Sequence, residues 1–298
     1  MMRGIRESLT GYLFVLPAVF VLLASIALPA VDAFVLSLQS WDGINPVQWV
    51  GLRNYHKLLR DPVFAIALRN TAYFVGATIV FHTTVPLLIA LLLNSGVRGS
   101  RLFRTIYFMP NIISLTISGM LWMMIYEPNF GVLNEVLRAI GLGTLTQLWL
   151  ASPKTVMTSV IITAIWQALG FYMVIFFASL QNLPQELYEA AAIDGANRLQ
   201  RLFRITIPLL SPIFTVVVVL NIIFGVRTFD LMWVMTKGGP LHASETLATH
   251  LYIKAFGPLM EADTDLGYGS AIAMVILVIS FVLSVMRIRL GRGREIEY

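Results

Sequence analysis

Six apolar stretches of about 20 residues or more divide the chain, at roughly 12–36, 68–93, 105–126, 156–180, 210–234 and 267–286, and each is long enough to cross a bilayer as a helix. More polar segments separate them. The longest polar segment between two strongly apolar ones in the second half is Glu186 to Pro208, reading E-L-Y-E-A-A-A-I-D-G-A-N-R-L-Q-R-L-F-R-I-T-I-P. Its pattern predicts helix, sharp turn, helix, lying in water beside the membrane. Pro184 suits the first position of the first helix, where its missing N–H costs nothing. Glu186 and Glu189 fall near the positive end of that helix's dipole. Ala190, Ala191 and Ala192 favour a helix and let another surface approach its backbone. Asp194-Gly195 breaks it, because Gly195 is free to take positive φ. Asn197 can then cap a second helix, with Leu199, Leu202 and Phe203 on one side and Arg198, Arg201 and Arg204 around the rest.

The first apolar stretch has features of a signal peptide, with Arg3 and Arg6 before it and Ser25-Ile26-Ala27 as a small-x-small site. It is longer than a signal peptide's core and continues past Pro29, which predicts a retained helix. The composition supports the membrane reading. The chain is 57% hydrophobic and 12% charged, where a soluble domain of this length carries about a quarter charged residues. We read one all-α membrane domain over 1–298, with the first helix, about 12–36, peripheral to a core of about 68–286.

There is no cysteine, and so no disulfide framework or thiol nucleophile. His56, His82, His242 and His250 show no metal-ligand spacing, and no metal site is expected. Charge is distributed by side. Arg3 and Arg6, the Arg98–Arg101–Arg104 and Arg198–Arg201–Arg204 clusters, and Arg287, Arg289, Arg292 and Arg294 would share one face of a six-span chain. Asp42, Asp61, Glu127, Glu135, Glu245, Glu261, Asp263 and Asp265 would lie on the other. Positive loops stay inside, which places both termini and the 184–208 loop in the cytoplasm. Short cationic clusters beside apolar spans also argue against nucleic-acid binding. Arg53, Lys57 and Arg60 run against the rule in the first outer loop. Trp41, Trp49, Tyr55 and Trp149 suit the membrane interface, or contact with an external partner.

The run Glu189 to Ala196, E-A-A-A-I-D-G-A, together with Ile205 and Pro208, resembles the EAA loop of binding-protein-dependent ABC importers, and it sits between the fourth and fifth of six spans as that loop does. Tyr12-Leu13-Phe14-Val15-Leu16-Pro17-Ala18, Val50-Gly51-Leu52-Arg53-Asn54-Tyr55, Phe103 to Pro110, Asn129-Phe130-Gly131-Val132-Leu133-Asn134 and Thr236-Lys237-Gly238-Gly239-Pro240 with Glu245-Thr246-Leu247 are similar to the sugar permeases of this class, of the maltose-permease-F and glycerol-3-phosphate-permease-A type. The resemblance implies a type I importer permease fold in a bacterial or archaeal plasma membrane. It implies a second, different permease, two ATPase subunits that hold ATP and Mg, an external solute-binding protein, and a carbohydrate cargo. No cofactor is expected on this chain, which has no G-x-x-x-x-G-K-[ST] phosphate loop and so is not the ATPase. In the coupling loop, the resemblance assigns close approach and the bend to Ala190, Ala191, Asp194 and Gly195, and the charged contact with the ATPase to Glu189.

Polar groups inside spans are costly and mark function. Asn111, Trp166, Gln167, Asn221, Arg227, Thr228 and Asp230 qualify, and rings with amides suit a sugar. The sugar-contacting stretches implied by the resemblance lie around Asn111, Trp166 to Gly170 and Gly225 to Thr228. Arg227 and Asp230, at i and i+3, could equally form a structural ion pair. Pro86 and Pro110 are expected to shape helices. An ion-gradient-driven secondary transporter is the rival reading. It would need charged or protonatable mid-span groups and two repeated halves; no carboxylate lies mid-span, since Asp32 and Asp230 fall near span ends, and the halves do not visibly repeat. A membrane enzyme would need clustered acid–base or metal groups, and none is present in the sequence. Because the chain lacks cysteine, Gln200→Cys would carry a unique label. An impermeant maleimide should modify it in inside-out but not right-side-out vesicles, and the reverse result would overturn the topology.

Overall fold

The computed structural model describes residues 14–257 and 264–292. Expectations that concern Arg3, Arg6, Tyr12, Leu13, Glu261, Asp263, Arg294, the side chain of Arg292 and the placement of the two termini fall outside the described residues. By contact density the chain divides into two compact units, 1–61 with 251–275, and 62–250 with 276–298.

In the first unit, α1 (Phe14–Ser37) is apolar and exposed nearly throughout. A short antiparallel pair follows, β1 (Gln39–Ser40) with β2 (Gln48–Trp49), and then α2 (Arg53–Arg60). Asn54 ties these together, its Nδ2 donating to the carbonyls of Ser37 and Gln39 at 2.9 and 2.7 Å. The Asp265 carboxylate accepts from Ser40 Oγ at 3.0 Å and from the Gly267 and Tyr268 amides. This fixes the hairpin to the start of α13 (Leu266–Arg292).

The second unit is built around α3 (Pro62–Asn94) and α7 (Val156–Gln181), which pack along much of their length. Against them lie α4 (Ser100–Ile112), α5 (Leu115–Ile125) and α10 (Ser211–Val226). One core cluster joins Phe74, Val160, Ile161, Val226 and Met232. The other joins Leu87, Ala90, Met173, Phe176 and Val217. Two glycines set the closest approaches. A Cβ on Gly170 of α7 would strike the backbone of Tyr107 and Phe108 on α4, and one on Gly225 of α10 would meet Val75 of α3 at 2.8 Å.

Among the described residues, four helices meet the length and hydropathy of a span: Phe14–Ser37, Pro62–Asn94, Val156–Gln181 and Leu266–Arg289. Two bent pairs raise the number to six. The third apolar stretch is therefore not one straight helix: α4 and α5 meet at 99°. Pro110 lacks an N–H, Ile113 and Ser114 are extended, and Ser114 Oγ restarts the helix by accepting from the Ile117 amide at 3.3 Å. The fifth stretch also departs from a single helix over 210–234. A helix from Arg198 to Leu209 (α9) meets α10 at 62°, α10 ends at Val226, and α11 (Asp230–Thr236) is separate. Pro208 and Pro212 flank the first break, where a missing donor and a fixed φ make a bend cheap.

Between α11 and α12 (Leu247–Phe256), a buried clamp holds the 237–246 segment. Glu245 is 2% exposed, and both of its oxygens accept from imidazole Nδ1 atoms, those of His250, at 2.6 Å, and His242. Asn70 of α3 donates to the carbonyls of His242 and Glu245, both at 2.9 Å, and Thr71 Oγ1 accepts from the Leu247 amide. Burial alone would raise the pKa of Glu245, but the hydrogen bonds from His250 and His242 outweigh it and hold the carboxyl below its ordinary value. A carboxyl held low in the fold stabilises above its unfolded pKa, and that contribution is lost as pH falls through the folded value. Glu245→Ala should cost about 3–5 kcal/mol, because it strands buried partners. It should be read as a fall in thermal midpoint in detergent, and Glu245→Gln should flatten the acid limb of the stability curve. An unchanged midpoint would remove the clamp from the fold's energetics.

Candidate functional sites: a polar cavity and an exposed helix pair

A cavity of about 520 Å³ opens in the second unit between α3, α7, α10 and the two helix breaks. Asn111 reaches it from the last turn of α4, Gln167 from α7, and Arg227, Thr228 and Asp230 from the break between α10 and α11. The side chains of Asn111, Gln167 and Arg227 make no hydrogen bond or ion pair among the described residues. The Arg227–Asp230 ion pair left open by the sequence does not form; both residues are exposed. The Thr228 hydroxyl is spent on the Phe224 carbonyl at 2.8 Å.

Trp166 and Gly170 are not brought to this cavity. Trp166 is one helical position from Gln167, a rotation of about 100°, and its ring packs edge-on against Trp122 with centroids 5.7 Å apart. Gly170 is buried against the backbone of α4. The reading of the sequence missed His82. It lines the cavity from α3, its Nδ1 lies 2.7 Å from Asn221 Oδ1 on α10, and its ring stacks on Tyr172 of α7 at 4.5 Å. Asn221 also donates to its own helix at Val217. His82 Nε2 has no hydrogen-bond partner among the described residues. An imidazole in the middle of an apolar span is itself the signal that could have found it.

The polar segment forms α8 (Gln185–Ile193) and α9. Pro184 stands one position earlier than expected, as the residue before the first turn. Gly195, at φ +78, ends α8 in a Schellman turn, with Gly195 N–H to Ala192 O at 3.1 Å and Ala196 N–H to Ala191 O at 2.8 Å. Asn197 and Gln200 form a reciprocal capping box at 2.9 and 2.8 Å. Tyr188 and the buried Thr206 join the two helices through their hydroxyls at 2.9 Å. Glu189, Ala190, Asp194 and Gly195 are exposed, and Ala191 is half-exposed. Glu189 accepts from Gln185 Nε2 at 2.9 Å. Ile193 is 87% exposed, and Leu199 and Phe203 are about two-thirds exposed. A hollow of about 350 Å³ lies in the turn, lined by Ala191, Asp194, Gly195, Gln200, Arg201 and Arg204.

Several apolar helices, a cavity that carries polar side chains and an exposed helix pair are the features of a multi-pass membrane protein. The chain belongs to the family described as binding-protein-dependent transport system inner membrane component, whose model matches residues 82–290. It is 39% identical to a probable ABC transporter permease protein, YurN, of Bacillus subtilis, over 97% of this chain and 99% of that one. It is 33% identical to the trehalose/maltose transport system permease protein MalF of Thermococcus litoralis, over 97% and 96%. Its fold matches a chain of a bacterial ABC transporter involved in import of the acidic polysaccharide alginate, with a TM-score of 0.83 at 23% identity over 98% of both chains. It is a membrane transport component, not an enzyme.

The two α7 neighbours should separate in experiment. Trp166→Ala should lower the thermal midpoint, by roughly 1–3 kcal/mol of lost packing, with substrate KM unchanged. Gln167→Ala should leave the midpoint alone and raise the KM for uptake roughly two- to tenfold, the worth of one hydrogen bond. The opposite pattern would reverse the two assignments.

Proposed function

We propose that the chain is the permease subunit of an ATP-driven, binding-protein-dependent sugar importer of a bacterial or archaeal plasma membrane. It forms the pathway with a second permease and docks two ATPase subunits, which hold ATP and Mg, through α8 and α9. The observation that carries this reading is the exposed helix pair. Its two hydrogen-bonded caps fix a sharp turn, and its small and apolar residues face outward without a partner among the described residues. An exposed Ile193, Leu199 and Phe203 on a rigid cytoplasmic loop is what a protein partner would cover. Ala190, Ala191 and Gly195 would allow backbone approach, and Glu189 and Asp194 would offer charge.

Carbohydrate as cargo is supported by the unspent amides of Asn111 and Gln167 and by the stacked rings beside them. Arg227 and Asp230 balance in charge at the cavity, which favours a neutral sugar. Relatives are named for trehalose/maltose and for arabinooligosaccharides, which are neutral, and one for sulfoquinovosyl glycerol, which is anionic. Transport would proceed by a rigid-body switch between two packed states.

The test is uptake with the partner subunits co-expressed. It should depend on ATP and survive a protonophore. Glu189→Lys should abolish uptake while the protein still inserts. Gly195→Asp should fold, since nothing lies within 4 Å of its Cβ position and the strain at positive φ is about 1–2 kcal/mol, yet it should fail to retain the ATPase on purification. Normal uptake and co-purification with both variants would remove the loop from coupling.

A further inference from the structure

The cations that run against the positive-inside pattern gather on α2, and their setting points to a ligand. We infer that α2 lies in the lipid headgroup layer at the end of α1 and holds anionic phospholipid head groups there. This goes beyond the transport reading and does not depend on it.

The position follows from two contacts. The apolar residues of α1 are left unburied by this chain, and the helix is long and apolar enough to cross a bilayer, so its end at Ser37 lies near a membrane surface. Asn54 Nδ2 bonds the Ser37 carbonyl at 2.9 Å, and Tyr55 OH lies 2.7 Å from Ser37 Oγ. α2 is thus bolted to the end of an apolar span.

Its sequence then divides by flank. Asn54 and Leu58, at i and i+4, form the buried face. Leu52 and Leu59, two turns apart, share one outer flank and are 61% and 81% exposed. Arg53, Lys57 and Arg60, at i, i+4 and i+7, share the adjacent outer flank. The helix contains no acid. Arg53 and Arg60 have no ion-pair partner among the described residues, and Lys57 sits 4.7 Å over the Tyr268 ring. Leucines beside unpaired arginines on one short helix is the arrangement of an interfacial helix, with the leucines entering the acyl boundary and the cations at the phosphates. Trp49, 66% exposed on β2, adds an interfacial ring nearby in the chain. An external protein partner fits less well, because the leucine flank adjoins the end of an apolar span.

The chain contains no cysteine, so an environment-sensitive dye attached to Leu59→Cys before assembly with the partner subunits reports from one place on this chain. In vesicles of phosphatidylcholine with a minority of phosphatidylglycerol, the dye should be quenched by a shallow lipid spin label. Spin-labelled phosphatidylglycerol should quench it two- to fivefold more than spin-labelled phosphatidylcholine, about fivefold being the worth of one basic residue near an anionic surface. Arg53→Gln with Arg60→Gln should abolish that excess and keep the shallow quenching. Equal quenching by both lipids would overturn the headgroup assignment. A dye in water, quenched by neither lipid, would overturn the interfacial placement, as would protection that appears only when a solute-binding protein is added.

Discussion

A hydrocarbon layer offers no hydrogen bonds, so a helix that breaks inside it must have its freed groups answered by protein or by water in a cavity. The second unit breaks its helices in two places that open on one cavity, between Ile112 and Leu115 and between Val226 and Asp230. Ser114 caps one restart, and the Thr228 amide and hydroxyl turn back on Gly225 and Phe224 at the other. Between them, His82 Nδ1 pairs with Asn221 Oδ1 across α3 and α10. The irregular backbone that would be intolerable against lipid is where Arg227, Thr228 and Asp230 reach the cavity.

That cavity keeps its shape because the helices around it touch at glycine. Gly170 admits the backbone of α4 to α7, and Gly225 admits Val75 of α3 to α10. Close-packed contacts of this kind switch between arrangements and do not deform gradually. The exposed loop is attached to two of these helices with almost no slack. α7 ends at Gln181 and α8 begins at Gln185, while α9 ends at Leu209 and α10 begins at Ser211. On the proposed function, these short connections are the route by which a push on α8 and α9 would reach α7 and α10.

The six apolar stretches and the helix–turn–helix between the fourth and fifth were legible because hydropathy and capping are local. Gly195 and Asn197 could be assigned their roles from residue type alone. The breaks were not legible: Ile112 and Ile113 are as apolar as the helices they separate, and only Pro110 and Ser114 hint at a bend. The end of α10 at Val226 was hidden likewise by Leu231 to Val234, which belong to a separate short helix. Trp166 and Gln167 are adjacent in sequence, and only the rotation of α7 decides which one the cavity receives. His82 was passed over because the histidines were tested for metal spacing, a question of pairs in sequence, while its partners Asn221 and Tyr172 come from distant helices.

Polar side chains within this chain fall into two groups, separated by whether their hydrogen bonds are already made. Asn54, Asn70, Asn134 and Glu245 are buried and hydrogen-bonded: Asn134 alone donates to the carbonyls of Pro128 and Gln147 and accepts from Trp149 Nε1 at 2.8 Å. Replacing any of them strands buried partners, so their cost is paid in folding. Asn111, Gln167 and Arg227 are spent on nothing within the described residues, yet they converge on one hollow. A polar group held beside a cavity with its bonds unmade loses little stability when removed and gains most when a hydroxyl-bearing molecule arrives. That difference in bonding, more than residue type or depth in a span, separates the asparagines that hold the fold from Asn111, which on the proposed function would meet the solute together with Gln167 and Arg227.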